Sequence, residues 1–558
     1  MPVNNFKNQG IGLKLSKFIF IGALILFGGF YDWNVTFIGI FVCLCALLLN
    51  YRKQGGYKKE KKWIFWIPEI ILVFQIAVSF WAVDRSTNTA GIMRGIVILL
   101  WMHVCLQWSS DIRIQMICMI PNLGSVMVIL ASAAFLFDKS RRLFWRAERL
   151  GGFFQYANTC ALFLLLGIII HSFVWEDKKG KKNRKKWWLG VGKTAILMIG
   201  ILLTGSRSIL IIGVLWGIIH SIYHRCFRTV FICVIAGVGI ISGLYYVFIG
   251  GSTQNISRIF TVMSSNSTLY GRILYDIDGI SILCRYPMGL GYLGYHYVQH
   301  AFQTGVYTVR YVHNDILQIG LDYGVIPLLL FAVYMAWQIM RGDQTKGEKT
   351  ILAVILTASL LDFHMQYMII DFIIVLCLDQ GTRSKQRRAE RIENDIGFIV
   401  MLLGFIYCFI PYYAVYKGMY QKTLRFMPDH TEALCMAMEE TGDKNVACAY
   451  ADRILRQNQY VTEAYNVKAY AAVIDGDIES VMENQDEVLR LEKYDIERYR
   501  VYDLLLEQME LQCLDIGEEQ IIVQIREKRT DIREQLKDVR EYTNPIAYRL
   551  RDIPEYTW

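Results

Sequence analysis

Apolar runs with few charges recur from Phe18 to Tyr416, each near the roughly 20 residues that carry a helix across a hydrocarbon layer. They predict about thirteen spans by that criterion. These lie near 15–31, 35–51, 63–83, 91–108, 115–137, 157–175, 187–204, 208–223, 229–249, 318–340, 350–363, 366–379 and 396–416. The pair at 350–363 and 366–379 is short, so a single bent element is the alternative reading there. Helices follow because lipid offers no partner for open backbone N–H and C=O groups. The expected fold is all-α: a polytopic transmembrane helical bundle of about 12–13 spans over residues 1–416, followed by a soluble helical domain at 417–558.

The soluble part carries a repeat. Gly442-Asp443 and Gly476-Asp477 are 34 residues apart, and at the same offset Ala447 pairs with Val481, Ile454 with Val488 and Leu455 with Leu489. Tyr465, Ala469 and Gly476 take the large, small and turn positions of one unit, whereas the other unit has a shortened first helix. This period with a Gly-Asp turn resembles tetratricopeptide repeats, which stack helix pairs and bind a protein partner or a peptide. A passive helical cap is the simpler alternative.

Charge sharpens the division. The chain has a formal net charge of +9 over 558 residues, but residues 417–558 hold 29 acidic and 19 basic side chains, so the membrane part alone is strongly basic. No Lys/Arg-aromatic tract of the kind that binds nucleic acid is present in the sequence. Arg52–Lys62 carries six Lys/Arg, Lys178–Lys186 seven and Arg383–Arg391 five. With the N-terminus in the cytoplasm, all three stretches fall on that side, as do Arg225/Arg228 and Arg341/Lys349, in keeping with the positive-inside rule. An odd span count then puts residues 417–558 outside the cytoplasm. Ten of the 13 cysteines lie in the apolar part and none forms a CxxC pair, so neither a metal nor a redox centre is expected.

Two loops depart from this simple scheme. Asp138–Gly152 is external in this topology, yet it holds Lys139, Arg141, Arg142, Arg146 and Arg149 beside Leu143, Phe144 and Trp145. That composition fits an interfacial stretch that attracts anionic headgroups or a lipid-linked phosphate; a miscounted helix is the alternative. The second loop, about 250–317, is rich in Ser, Asn, Gly and Tyr, and loops of that length are usually functional or disordered.

Three polar clusters fall on the external side. Gly205-Ser206-Arg207-Ser208 occupies a hairpin turn, where backbone N–H groups and hydroxyls around a guanidinium make a phosphate cradle; an arginine snorkelling to the interface is the plainer reading. Gly271-Arg272 opens an amphipathic stretch, Ile273–Leu283, closed by the turn Pro287-Met288-Gly289-Leu290-Gly291. Tyr311-Val312-His313-Asn314-Asp315-Ile316-Leu317-Gln318 leads back into the membrane. There Asn314 or Asp315 can cap the next helix, while His313 beside a carboxylate can take a proton from a sugar hydroxyl. Asp362, His364, Glu69 and Asp371 are weaker candidates, better explained as polar contacts between helices.

Read in order, Asn158-Thr159-Cys160-Ala161, Gly205-Ser206-Arg207-Ser208, Gly271-Arg272 with Pro287-x-Gly289-x-Gly291, and His313-Asn314-Asp315-x-Leu317-Gln318 with Gly320 and Gly324 resemble the O-antigen ligase family over about residues 60–380. That family includes lipopolysaccharide ligases, polysaccharide polymerases and protein O-oligosaccharyltransferases. The resemblance implies transfer of a glycan from an undecaprenyl-diphosphate carrier to an acceptor hydroxyl on a lipid, glycan or protein, at the outer face of the cytoplasmic membrane, with no metal or other cofactor. Carried over motif by motif, Arg207 and Arg272 would bind the diphosphate and His313 would activate the acceptor. Ser206, Asn314, Asp315, Arg141, Arg142 and Arg146 would be auxiliary contacts. Tyr275 stands where a tryptophan is more familiar, and the helical tail is an addition. A repeat-unit polymerase of the same family, a lipid-glycan transporter and a membrane anchor for the tail are the rival readings.

Overall fold

The computed structural model describes residues 4–52, 57–58, 62–176, 184–223, 267–381, 384–385 and 388–549. The expected span at 229–249, the basic pair Arg225/Arg228 and the start of the long loop lie outside the described residues. What is described is almost entirely helical; the only strands among the described residues are a short hairpin, Trp145–Arg146 with Arg149–Leu150, and a two-residue pairing of Tyr57–Lys58 with Ser384–Lys385. Two compact units are built from interleaved stretches of chain: one from residues 1–72, 93–265 and 330–406, the other from 73–92, 266–329 and 407–558.

The first unit holds most of the apolar helices. Among the described residues, four helices are long and apolar enough to cross a membrane: Asp32–Tyr51, Arg85–Leu106, Ser110–Ala134 and Ile392–Tyr416, the second and last of which run on into the other unit. Shorter apolar helices include Ala157–Phe173, Leu189–Thr204, Arg207–Ile222 and Met368–Cys377. Together they make a multi-pass membrane protein. Ile396, Ile399, Val400 and Leu403 are exposed along one face of the last long helix. Their spacing of three and four residues marks a lipid-facing stripe rather than a water-facing surface.

Several expected spans are subdivided. The span Ser110–Ala134, expected at 115–137, is kinked between its segments Ser110–Ile117 and Ile120–Ala134, just before Pro121, which cannot supply an interior backbone N–H. The pair at 350–363 and 366–379 becomes Lys346–Ser359 and Met368–Cys377, joined by a 3-10 turn at His364–Gln366. Buried Arg94 braces that turn: its guanidinium donates to the carbonyls of Gln366, at 2.9 Å, and Phe30. Trp101 stacks on Phe372 with ring centroids 4.4 Å apart.

In the second unit, the run expected at 318–340 is also two helices. Asp315–Tyr323 stops at Gly324, whose φ of +99° no L side chain readily adopts, and a new helix starts at Val325. The reason lies in the Pro287–Gly291 turn, which crosses this corner backbone to backbone. Leu290 N–H donates to Leu321 O (2.8 Å), Gly291 N–H to Asp322 O (2.9 Å) and Val325 N–H to Pro287 O (2.9 Å). A Cβ added at Gly289 would lie 2.6 Å from the Gly324 nitrogen. The glycines of both motifs are therefore needed for close approach of two chains.

The same unit contains the helical tail. Thr431–Glu440 with Lys444–Gln457, and Thr462–Asp475 with Ile478–Leu491, form two successive helix pairs, the first pair with the shorter leading helix. Asp443 and Asp477, 34 residues apart in the sequence, cap the second helix of each pair, accepting from Val446 N–H (3.1 Å) and Ser480 N–H (3.1 Å) respectively. Helices Ile496–Ile516 and Glu519–Glu541 follow and close the core around Tyr502, Leu506, Ile525 and Ile532.

The tail is welded to the loops of its unit. Asp84, 1% exposed, accepts from Ser86 N–H (2.9 Å), Ser86 Oγ (2.6 Å) and Thr87 N–H (3.0 Å) at one oxygen. Its other oxygen accepts from tail residues Thr431 Oγ1 and Asn458 Nδ2, the latter at 3.1 Å. Hydrogen bonds to a buried charge contribute roughly 1.5–3 kcal/mol each. At the far end, Asn544 N–H donates to Thr304 O (2.9 Å), and Ala547 packs with Leu274 and Tyr307.

Candidate functional site

The long loop presents its chemistry on helix Ser267–Arg285 and on the turn before Asp315–Tyr323, both in the second unit. The first helix buries Gly271, Leu274, Asp278 and Ile282 on one face and exposes Ile273, Ile277 and Ile280 on another. Between these faces, one turn apart, lie Arg272 and Asp276.

His313 meets them from the other side. Its φ of +58° is left-handed, a conformation that costs a non-glycine residue about 1 kcal/mol or more and that persists only where the surroundings impose it. Those surroundings are visible. Asn314 caps the next helix as expected, its Oδ1 accepting from Leu317 N–H at 3.2 Å, while its Nδ2 donates to Asp276 Oδ1 at 3.3 Å. Gln318 Oε1 accepts from Val312 N–H at 3.0 Å, and its Nε2 donates to Asp322 Oδ1 at 2.8 Å, which pins the backbone immediately before His313. The His313 and Tyr275 ring centroids are 5.8 Å apart.

Asp276 is the residue that joins the group. Burial raises its carboxyl pKa above the usual value, while the Asn314 hydrogen bond and the positive charges of Arg272 and His313 pull in the opposite direction. The Tyr275 hydroxyl is likewise raised by burial and opposed by Arg272. Arg272, Tyr275, Asp276, His313 and Asn314 thus form one cluster. Asp276 is absent from the sequence-based candidates, although its i+4 spacing from Arg272 was a usable signal. Asp315 is buried in the first turn of its helix.

In the first unit, Arg207 is the first residue of helix Arg207–Tyr223, after a turn in which Gly205 has a φ of +61°. The buried Ser206 Oγ has no hydrogen-bond partner among the described residues. Just before the turn, Thr204 O accepts from Arg149 Nε at 2.7 Å, and Arg149 Nη2 donates to Asn158 Oδ1 at 2.9 Å. Asn158 Nδ2 and Tyr156 OH both donate to Asp362, and His364 Nδ1 lies 3.0 Å from Thr159 Oγ1. Asp362 and His364 accordingly have the inter-helix polar contacts expected of them. Arg149, unremarked beyond its loop, anchors the Arg207 turn.

The basic stretch at Asp138–Gly152 is a short helix, Asp138–Phe144, followed by a hairpin pairing Trp145–Arg146 with Arg149–Leu150. Arg141 lies 4.2 Å over the Phe135 ring, Arg142 is exposed, and Arg146 Nη2 donates to Gln155 Oε1 at 3.0 Å. Arg272 and His313 therefore belong to one unit, and Arg207, Arg141, Arg142 and Arg146 to the other. No group of three or more His, Cys, Asp or Glu that could hold a metal ion occurs among the described residues.

No curated protein and no solved structure matches the chain. A family does: residues 193–332, which include Arg207, Arg272 and His313, match the O-antigen ligase family model, and the chain carries an O-antigen ligase domain.

Proposed function

We propose that this membrane glycosyl-transferring enzyme moves a glycan from a polyprenyl-diphosphate carrier to an acceptor hydroxyl at the outer face of the cytoplasmic membrane. The observation that carries the reading is the cluster of Arg272, Asp276 and His313 inside the matched domain. Its composition suits the chemistry. In the reaction the acceptor O–H gives its proton to the His313 imidazole while its oxygen bonds to the anomeric carbon. The bond from that carbon to the phosphate oxygen breaks, and the carrier diphosphate leaves with the electron pair. Guanidinium groups at Arg272 and Arg207 would neutralise the charge developing on the diphosphate. The carboxylate of Asp276 would stabilise the imidazolium formed in the same step.

The exposed apolar face at Ile273, Ile277 and Ile280 supports a site at the membrane surface, where a polyprenyl tail stays in lipid while its diphosphate reaches Arg272. Arg141, Arg142 and Arg146 are auxiliary contacts in this reading, together with Ser206, Asn314 and Asp315. The acceptor-side tail would be extracytoplasmic and tetratricopeptide-like. The direct test is transfer by the purified full chain in lipid nanodiscs, with a radiolabelled undecaprenyl-diphosphate oligosaccharide as donor and EDTA present. Labelled glycan should move to a hydroxyl acceptor with release of undecaprenyl diphosphate. Release of the label only as free sugar, or no turnover, would count against it.

Asp276 gives a second test. Asp276→Asn should lower kcat by about 10- to 100-fold, with KM little changed, because the neutral amide cannot stabilise imidazolium. The pH profile supplies the sign. Since burial places the carboxyl above its usual value of about 3.9, the carboxylate is lost as the pH falls through that raised value. Wild-type activity should decline on acidification earlier than an ordinary carboxylate would dictate, and the asparagine variant should lack that component.

A further inference from the structure

The inner face of the Arg272 helix carries a carboxylate that the reaction scheme does not use. Asp278 is 1% exposed and lies further along the same helix, Ser267–Arg285. Its Oδ1 accepts from Thr304 Oγ1 at 2.8 Å, and its Oδ2 accepts from Thr304 N–H at 2.9 Å and from the Tyr307 hydroxyl at 2.8 Å. We propose that Asp278 is a positioning residue for transfer: it holds Tyr307, Tyr307 holds Tyr275, and Tyr275 sets the direction of the His313 imidazole. The proposal rests on the reading of His313 as the acceptor base and adds what keeps that base aimed.

Three observations carry it. The first is that the hydrogen bonds are of two kinds. The pair to Thr304 folds the loop back onto the helix, and Thr304 O in turn accepts from Asn544 N–H of the tail at 2.9 Å. Those are structural duties. The third bond has a different effect. Tyr307 is 8% exposed and packs with Leu274 and Ala547, so burial alone keeps its ring in the core. What the hydroxyl contact adds is a fixed outer end, and with it one orientation of the ring plane.

The second is the line of rings. The Tyr307 centroid is 4.5 Å from that of Tyr275, with 48° between the planes, and Tyr275 is 5.8 Å from His313, with 35° between them. A close-packed interior cannot absorb a tilt of one ring, so the tilt passes to the next. The hydrogen bonds of Gln318 and Asn314 fix the main chain around His313, but they leave the imidazole torsions to its side-chain neighbours.

The third is chemical type. A buried carboxylate is strongly disfavoured unless it is hydrogen-bonded or paired. Asp278 is supplied with three donors and with the positive charge of Lys493 from the tail. An ionised carboxylate only accepts, so the Tyr307 O–H can only donate. An asparagine of the same shape would turn an N–H towards Thr304 or Tyr307, and the ring would lose its fixed end.

The test uses the full chain in nanodiscs, with the labelled undecaprenyl-diphosphate oligosaccharide as donor, and reads His313 directly as well as through turnover. Diethyl pyrocarbonate carbethoxylates imidazole, and His313 is half-buried, within reach of the reagent. Mass spectrometry of the peptide containing His313 gives the rate constant at that residue. Tyr307→Phe removes the hydroxyl and keeps the ring, so the fold survives. It should lower kcat by about five- to tenfold, leave the acceptor KM within about twofold and change the His313 carbethoxylation rate by about threefold or more. Asp278→Asn should lower kcat by about 10- to 50-fold. Adding Tyr307→Phe to it should cost no more than about another twofold, because both changes break one bond. A merely structural Asp278 would give a lower thermal midpoint with kcat and His313 reactivity of the folded protein unchanged, and that result would overturn the proposal. So would a full further loss in the double variant, since Tyr307 would then act apart from Asp278. Failure of the catalytic reading looks different: His313→Asn would keep its activity while Tyr307→Phe still altered His313 reactivity, which would retain the positioning and remove the base.

Discussion

His313→Asn is expected to reduce glycan transfer by about 10²- to 10⁴-fold, the usual contribution of a positioned general base. Asparagine is the preferred replacement because it tolerates the left-handed backbone that His313 adopts at φ +58°, so the loop should keep its shape. The side chain is half-buried against the Tyr275 ring and the replacement keeps the backbone, so the thermal midpoint of the purified protein should fall by no more than a few degrees. Single-turnover assays with saturating lipid-linked donor isolate the chemical step from carrier release. The loss should appear in that step and not in donor affinity. More than a tenth of wild-type activity in a correctly folded variant would remove the imidazole from the mechanism.

The second large effect concerns the arginines. Arg272→Ala should cost about 10²- to 10³-fold in kcat, comparable to losing one preorganised partner of a developing negative charge. Arg272→Lys should recover only part of this, since a compact ammonium cannot bridge two phosphate oxygens as a guanidinium does. Arg207 belongs to the other unit, which makes a double-mutant cycle informative. If both guanidiniums grip one diphosphate, combining Arg207→Ala with Arg272→Ala should depart from additivity by roughly 0.5–3 kcal/mol. Additive losses would mean that the two act on separate groups, and the shared clamp would have to be abandoned.

Much of this architecture is legible in the amino-acid sequence. The 34-residue offset of the Gly-Asp turns marks the two helix pairs of the tail, down to the shortened first helix, because those signals are local; that Asp443 and Asp477 cap the second helices is seen only in the structure. The cap at Asn314 is equally local, and the match over residues 193–332 agrees with the motifs that suggested the family. What escaped depends on distant parts of the chain. Hydropathy cannot reveal that Gly324 ends a helix inside an apolar run, because the cause is a second backbone arriving at Gly289. Asp276 looks like a solvated helix residue until Asn314, from the far end of the loop, is seen donating to it. The role of Asp84 depends on Thr431 and Asn458, more than three hundred residues later, and no periodicity records such a partnership.

The wedge formed by Ala547 against Leu274 and Tyr307 has a consequence for biosynthesis. The arginine helix emerges from the ribosome long before the residues that support its inner face. Until translation has passed position 547, that helix lacks part of its packing, and the neighbouring Tyr275 ring lacks a firm backing. Ordering of the Arg272 helix therefore waits on residue 547, and the Tyr275 ring beside His313 gains its backing only once that contact has formed.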